Sequence, residues 1–130
     1  MTGASSGIGR AIAETYAIEG AVVLLTHRDS PERAREVADA IGARVLQADL
    51  ATREACERLV AEACEELGRV DVWVNNAGAD VVTGEAAAWD WERKLDLLLA
   101  VDLKGTIACS YSAGAVMHEQ PGGGAIVNMS

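Results

Sequence analysis

The sequence predicts a doubly wound α/β fold on a parallel sheet, and two observations carry that prediction. Short, unbroken aliphatic runs alternate with longer segments of helical period, and glycines stand where one period gives way to the other. Runs without polar alternation suit strands buried on both faces, as in a sheet covered by crossover helices. Regular alternation of the two element types then implies right-handed crossovers and helices on both sides of the sheet.

Each element has its own signal. A first helix opens within Thr2-Gly3-Ala4-Ser5-Ser6-Gly7-Ile8-Gly9 and carries Ile8, Ala11, Ile12 and Thr15 on one face. Ala21–Leu25 reads as a strand. Ser30-Pro31 opens the next helix as cap and first residue, with Ala34, Val37, Ala38 and Ile41 as its stripe. Ala43–Leu46 is the second strand. Cys56, Leu59, Val60, Ala63, Cys64 and Leu67 follow the i, i+3, i+4, i+7 pattern of a third helix. Val70–Val74 is the third strand. A long helix is expected from about Asp90 into the 110s through Leu95, Leu98, Leu99 and Val101, until Gln120-Pro121-Gly122-Gly123-Gly124 breaks it before a last strand at Ala125–Val127. Gly20, Gly42 and Gly68 fall where helices stop, the usual place for a left-handed residue.

The chain has 130 residues, one domain's worth or part of one. Its formal net charge of -9 leaves no basic surface to neutralise phosphates, which excludes a nucleic-acid partner. No apolar run approaches the ~18 residues of a membrane span. The first residues resemble no secretory leader, so the expected location is cytoplasmic. Cys56, Cys64 and Cys109 offer neither a CxxC ligand pair nor a disulfide framework, and read as small core residues. No metal site is expected.

The glycine run is the first candidate site. Glycines ahead of a helix N-terminus let the backbone approach a pyrophosphate, which the free N–H groups and the helix dipole attract. The spacing is GxxxGxG, without the Gly-Lys-Ser/Thr of a nucleotide-hydrolysing loop, and by itself it is equally compatible with a plain turn. Such a fingerprint normally follows a strand, and here only Met1 and Thr2 precede it.

A second motif, Asn75-Asn76-Ala77-Gly78, ends the third strand. With the run from Thr2 to Gly9 it resembles the short-chain dehydrogenase/reductase family. The likeness extends over nearly the whole chain, through Asp49-Leu50, Val101-Asp102-Leu103-Lys104-Gly105 and Ile126-Val127-Asn128-Met129-Ser130. It implies a Rossmann-like dinucleotide-binding domain, here a single partial domain over residues 1–130. Gly3, Ser5, Ser6, Gly7, Ile8 and Gly9 would line the pyrophosphate and ribose of the cofactor. Asp49 would bind the adenine amino group beside the Leu50 backbone, with helix capping as its alternative. Asn76, Ala77 and Gly78 would lie against the riboses, and Asn75 would brace the strand.

The strand end His27-Arg28 is expected to choose the cofactor. His27 stands where NAD-preferring relatives tend to have Asp, and Arg28 where NADP-preferring ones often have Arg. A guanidinium grips a phosphate bidentately, so the resemblance implies NADP, with NAD possible. Asp29 fits a crude ribose-acid spacing from Gly9, but capping of the next helix explains it more simply.

The family chemistry is hydride transfer between a nicotinamide and a carbonyl or alcohol, with a tyrosine acid/base, a lysine four residues on and a serine. Tyr16 is followed four residues later by Gly20, and Tyr111 by Ala115. Ser130 matches the first of the family's serine pair. Asp102 takes the place of the family's asparagine on the proton path, or is an ordinary polar helix residue. The expectation is therefore the cofactor-binding portion of an NADP-preferring oxidoreductase, truncated at both ends and inactive alone, from a homo-oligomeric parent. The alternatives are a non-catalytic dinucleotide-binding regulator and a non-functional gene fragment. A missing central strand is also expected to leave the two halves of the sheet without a joining ladder.

Overall fold

The structure, a computed structural model, describes residues 1–129; Ser130, the expected serine match, lies outside the described residues. Four parallel strands and five α-helices alternate: α1 (Gly7–Ile18), β1 (Leu24–His27), α2 (Pro31–Ile41), β2 (Arg44–Gln47), α3 (Arg53–Leu67), β3 (Val72–Asn75), α4 (Trp91–Leu98), α5 (Thr106–Glu119) and β4 (Ala125–Asn128). β1 pairs with β2 from Leu24 opposite Arg44, and β3 with β4 from Val72 opposite Ala125. β1 starts later than the apolar run suggests because Ala21 and Val22 precede that first pair, and Val22 is exposed.

Two apolar clusters sit on opposite faces, as a doubly wound sheet requires. Val23 and Leu25 of the β1 region pack with Ala4, Ala13, Ala34 and Val37 under α1 and α2. Leu24 points the other way, into a cluster of Cys56, Leu59, Val60, Trp73, Cys109 and Met117 under α3 and α5. This period-two alternation sends Leu24 and Leu25 into opposite cores, and Thr26 and His27 complete the strand as buried polar residues. Cys56 and Cys109 are fully buried there. The hydrogen bond to Cys56, with burial, pushes the Cys109 thiol well above its ordinary range, which makes it inert.

The region expected as one helix from Asp90 onward is interrupted. Between α4 and α5, residues Leu99–Gly105 wind as a π-helix. The wider turn brings Val101 and Gly105 inward, and a Cβ on Gly105 would stand 2.5 Å from the Leu50 carbonyl. Gly42 and Gly68 end α2 and α3 in the left-handed conformation, as expected. The Thr52 hydroxyl caps α3, accepting from the Ala55 N–H at 3.3 Å.

The two strand pairs are joined after all, though by only two residues. The Met1 amino group donates to the Leu24 carbonyl at 2.7 Å, and the Thr26 N–H donates to the Met1 carbonyl at 3.1 Å. On the other side the Thr2 N–H donates to the Val74 carbonyl at 2.9 Å. Met1 and Thr2 thus form a stub of central strand, parallel to both neighbours. The ladder expected to be absent is present at its C-terminal end.

Burial of this stub pushes the Met1 amine from the ordinary 8.0 down to about 6. The folded chain therefore resists protonation that the unfolded chain accepts. Above pH 8 both forms are neutral; between pH 8 and 6 folding loses about 2–3 kcal/mol, and below that the loss is constant. In the 130-residue polypeptide, denaturant melts should show this decline from pH 9 to 6, and acetylation of Met1 should remove it. An equal decline in the acetylated chain would show that other groups cause it.

Candidate functional site

The C-terminal ends of β1, β2 and β3 converge on a cleft of about 270 Å³. Ten of the residues singled out in the sequence line it: Gly3, Ser5, Ser6, His27, Arg28, Asp49, Leu50, Asn76, Ala77 and Gly78. Ligands of open parallel sheets bind at this end, where the strand order reverses. Its volume is below the ~300–1,000 Å³ of common ligand pockets, so it suits part of a dinucleotide rather than the whole.

The cleft is held by a clasp between the two sequence motifs. The Thr2 hydroxyl, buried, accepts from the backbone N–H groups of Asn76 and Ala77, each at 3.0 Å. In return the Asn76 side-chain amide donates to the carbonyls of Gly3 at 2.8 Å and Thr2 at 3.2 Å. Gly3 lies at φ 64°, and a Cβ there would stand 2.6 Å from Ala77 Cα. Only glycine allows this approach.

Gly7, Ile8 and Gly9 do not line the cleft. Gly7 opens α1 at φ 56°, and Ile8 is exposed. Gly9 is buried under the clasp, where a Cβ would collide with the Gly3 carbonyl and the Asn76 amide. Its function is close packing of α1 on the loop. Asn75 braces the strand as expected: its amide donates to Ser110 Oγ and Asn128 Oδ1, both at 2.8 Å, and its oxygen accepts from Trp73 Nε1.

Asp102 is not among the cleft's lining residues. From the middle of the π-helix its carboxylate accepts from the Ala79 N–H at 2.8 Å, which fixes the chain just past Gly78. It is a positioning residue for that loop. The sequence reading assigned no role to Thr2, although Thr opens the glycine run, and overlooked Thr26, Ala48 and Val101 in the lining.

The electrostatics leave room for an anion. The N-cap Ser6 of α1 makes no side-chain capping bond, and the first turn has no acidic residue, so its N–H groups and dipole face a ligand without competition. Three acids border the cleft, each with a local partner. Asp29 pairs with the Arg28 guanidinium, and Asp49 accepts from the Ala51 N–H at 3.1 Å. The Thr83 hydroxyl, then the Val82 and Thr83 N–H groups, hold Asp80 below the usual carboxylate range. His27 is buried, and its Nδ1 has no partner among the described residues. Such an orphan asks for a ligand or a water. The donors, the glycine approach and the orphan nitrogen fit a phosphate-bearing dinucleotide.

The family model for short chain dehydrogenase matches residues 1–130. The chain belongs to the short-chain dehydrogenase/reductase family. It is 38% identical over 132 residues to 1,6-dihydroxycyclohexa-2,4-diene-1-carboxylate dehydrogenase of Pseudomonas putida, covering 100% of this chain and 48% of that protein. It is 39% identical over 136 residues to the short-chain reductase NovJ of Streptomyces niveus, covering 100% of this chain and 50% of that one. A Burkholderia cenocepacia short-chain dehydrogenase solved in complex with NADP superposes with a TM-score of 0.81 at 36% identity, over 98% of this chain and 52% of the other. A metagenomic short-chain oxidoreductase, also with NADP, gives 0.83 at 34% identity, over 99% and 59%. The chain thus spans about half the length of the relatives it matches. Among the described residues no helix is long and apolar enough to cross a membrane.

Within this short-chain dehydrogenase/reductase fold the clasp can be tested directly. Thr2→Val keeps the shape and strands two N–H donors, which should cost roughly 2 kcal/mol of stability. Thr2→Ser keeps the hydroxyl and loses one methyl, a cost of about 1 kcal/mol or less. Urea melts of the two variants should separate accordingly.

Proposed function

We propose that residues 1–130 form the NADP-binding portion of an oxidoreductase that moves hydride between a nicotinamide and a small carbonyl or alcohol substrate. The observation that carries this reading is the clasp, which sets the glycine loop against Asn76-Ala77-Gly78 with Arg28 and Asp49 on the same cleft. The NADP complexes of the two structural neighbours support it.

Each part of the cleft has a binding task in this proposal. Gly3, Ser5, Ser6 and the N-terminus of α1 receive the pyrophosphate, where backbone donors and the helix dipole need no counter-charge. Gly7 and Gly9 shape that loop, and Ile8 flanks it. Asn76, Ala77 and Gly78 hold the riboses. Asp49 accepts from the adenine amino group beside Leu50. His27 offers its unpartnered nitrogen at the adenosine end, and no carboxylate stands at that strand position to repel a 2′-phosphate. Arg28 exchanges its exposed pairing with Asp29 for the phosphate. That exchange costs little, because an exposed ion pair is worth about 0–1 kcal/mol. When bound, the nicotinamide would give hydride to a carbonyl or take it from an alcohol. Asp102 serves indirectly, by positioning the loop at Ala79.

Neither tyrosine stands at the cleft. Tyr16 borders a cavity at the other end of the sheet, and Tyr111 is 80% exposed on α5. The 130-residue chain should therefore bind cofactor without turning over a carbonyl substrate. In fluorescence titrations NADPH should bind more tightly than NADH, and Arg28→Ala should weaken NADPH about tenfold while leaving NADH unchanged, the ~1.4 kcal/mol of one charged contact. Equal affinities, with no effect of Arg28→Ala, would overturn the NADP assignment. No binding of either would overturn the site.

Assembly belongs to the same proposal. Trp91, Leu95, Leu99, Leu103, Ile107 and Tyr111 recur every four residues from α4 through the π-helix into α5, and all are exposed. A row of exposed large apolar side chains marks an interaction face, here one for a second copy. Sedimentation should show a dimer or larger that Leu103→Lys returns to monomer without loss of helix signal. A cytoplasmic location accords with three free cysteines in a reducing compartment.

A further inference from the structure

The last rung between β1 and β2 is the Ala48 N–H on the His27 carbonyl at 3.0 Å, with His27 opposite Gln47. Beyond it the chain leaves the sheet and reaches α2 at Pro31 through Arg28, Asp29 and Ser30, all of which line the cleft. The way Arg28 leaves β1 therefore decides where its guanidinium can go.

Strand geometry gives Arg28 a definite expectation. Along β1 the N–H and C=O of one residue turn to the same side, and that side alternates. Val23 and His27 offer their carbonyls to β2, accepting from Arg44 and Ala48. Leu24 and Thr26 face the other way and bond to Met1. Regular alternation would turn Arg28 away from β2 as well. Its carbonyl instead accepts from Gln47 Nε2 at 2.8 Å. The backbone has thus turned at Arg28, and a side chain from the neighbouring strand holds it there. The ladder does not supply this bond, because Ala48, the residue after Gln47, already gives its N–H to His27.

We propose that Gln47 is a specificity-determining residue for the cofactor, which by pinning the Arg28 carbonyl aims the guanidinium at the 2′-phosphate of NADP, an assignment that rests on the NADP reading of the cleft. Gln47 does not itself line the cleft, so it acts through Arg28 as a positioning residue. The physical reason is the freedom of a long side chain. The Arg28 side chain is 53% exposed, and its ion pair with Asp29 joins adjacent residues that can move together. The Gln47 bond ties Arg28 to the sheet. An arginine whose backbone also swings loses that freedom as well as its rotamers when it grips a phosphate; a pinned one loses only the rotamers. NADH carries a hydroxyl in place of the phosphate and makes no use of the guanidinium.

Gln47→Met keeps the length of the side chain and removes its donor. Gln47 is exposed, so the variant should keep the fold and its urea melt should move little. In fluorescence titrations of the full chain, Gln47→Met should weaken NADPH about threefold, the effect of one neutral hydrogen bond, and leave NADH unchanged. Added to Arg28→Ala it should have no further effect, because the side chain it aims is gone. A purely structural role would weaken both cofactors together, and that result would overturn the proposal. So would a loss that persists in the Arg28→Ala background, since Gln47 would then meet the phosphate itself. If Arg28→Ala weakens NADPH and Gln47→Met does not, the positioning role fails and the NADP reading stands. If neither variant separates NADPH from NADH, both fail.

Discussion

The architecture turns on one buried hydroxyl. Thr2 Oγ1 accepts from two successive backbone N–H groups at the end of β3, while the Asn76 side chain bonds back across the glycine loop. These groups sit where the sheet is weakest, between two strand pairs that share only a two-residue stub. Without the clasp, the α1–β1–α2–β2 half and the α3–β3–α5–β4 half would be held largely by side-chain packing. With it, the loop that begins one half is bonded to the turn that ends a strand of the other. The cleft is the space this bonding leaves.

The glycine requirement follows from the same contact. Gly3 and Gly9 are needed because the Ala77 backbone and the Gly3 carbonyl occupy the space their Cβ atoms would fill. Gly7 meets no such neighbour, and its requirement is the positive φ at the mouth of α1. Three glycines of one motif thus answer two different constraints. On the far side of the cleft, the π-helical turn sets Asp102 against Ala79 and Gly105 against Leu50, so an irregular helix steadies two loops of the site.

The two ends of the sheet differ in chemistry for a geometric reason. At the C-terminal end, loops supply N–H donors, carboxylates and an arginine, and the helix dipole of α1 adds positive potential. This local field is compatible with a chain of net charge -9, because the acids near the cleft are each engaged by a neighbour. At the N-terminal end of the strands the cavity between β1 and β3 mixes aliphatic side chains with Arg44, Glu66, Arg69 and Asp71.

Much of this was legible in the sequence because it depends on local pattern. Apolar runs, helical stripes and stopping glycines determined the order of elements, the parallel sheet and the burial of Cys56. The Thr2–Gly9 run and Asn75–Gly78 marked the two loops that meet at the cleft. Strand limits were less legible, since pairing and not composition decides that β1 begins at Leu24. The π-helix has no signal in the apolar periodicity, and the contacts it makes, Asp102 with the Ala79 N–H and Gly105 against the Leu50 carbonyl, join residues far apart in sequence. Tertiary structure alone decided that Gly9 packs while Ser5 faces the cleft, that Asp102 positions a loop, and that Met1 and Thr2 act as the stub of a central strand. Those outcomes depend on which backbone groups are brought opposite one another, and one-dimensional pattern carries no record of that.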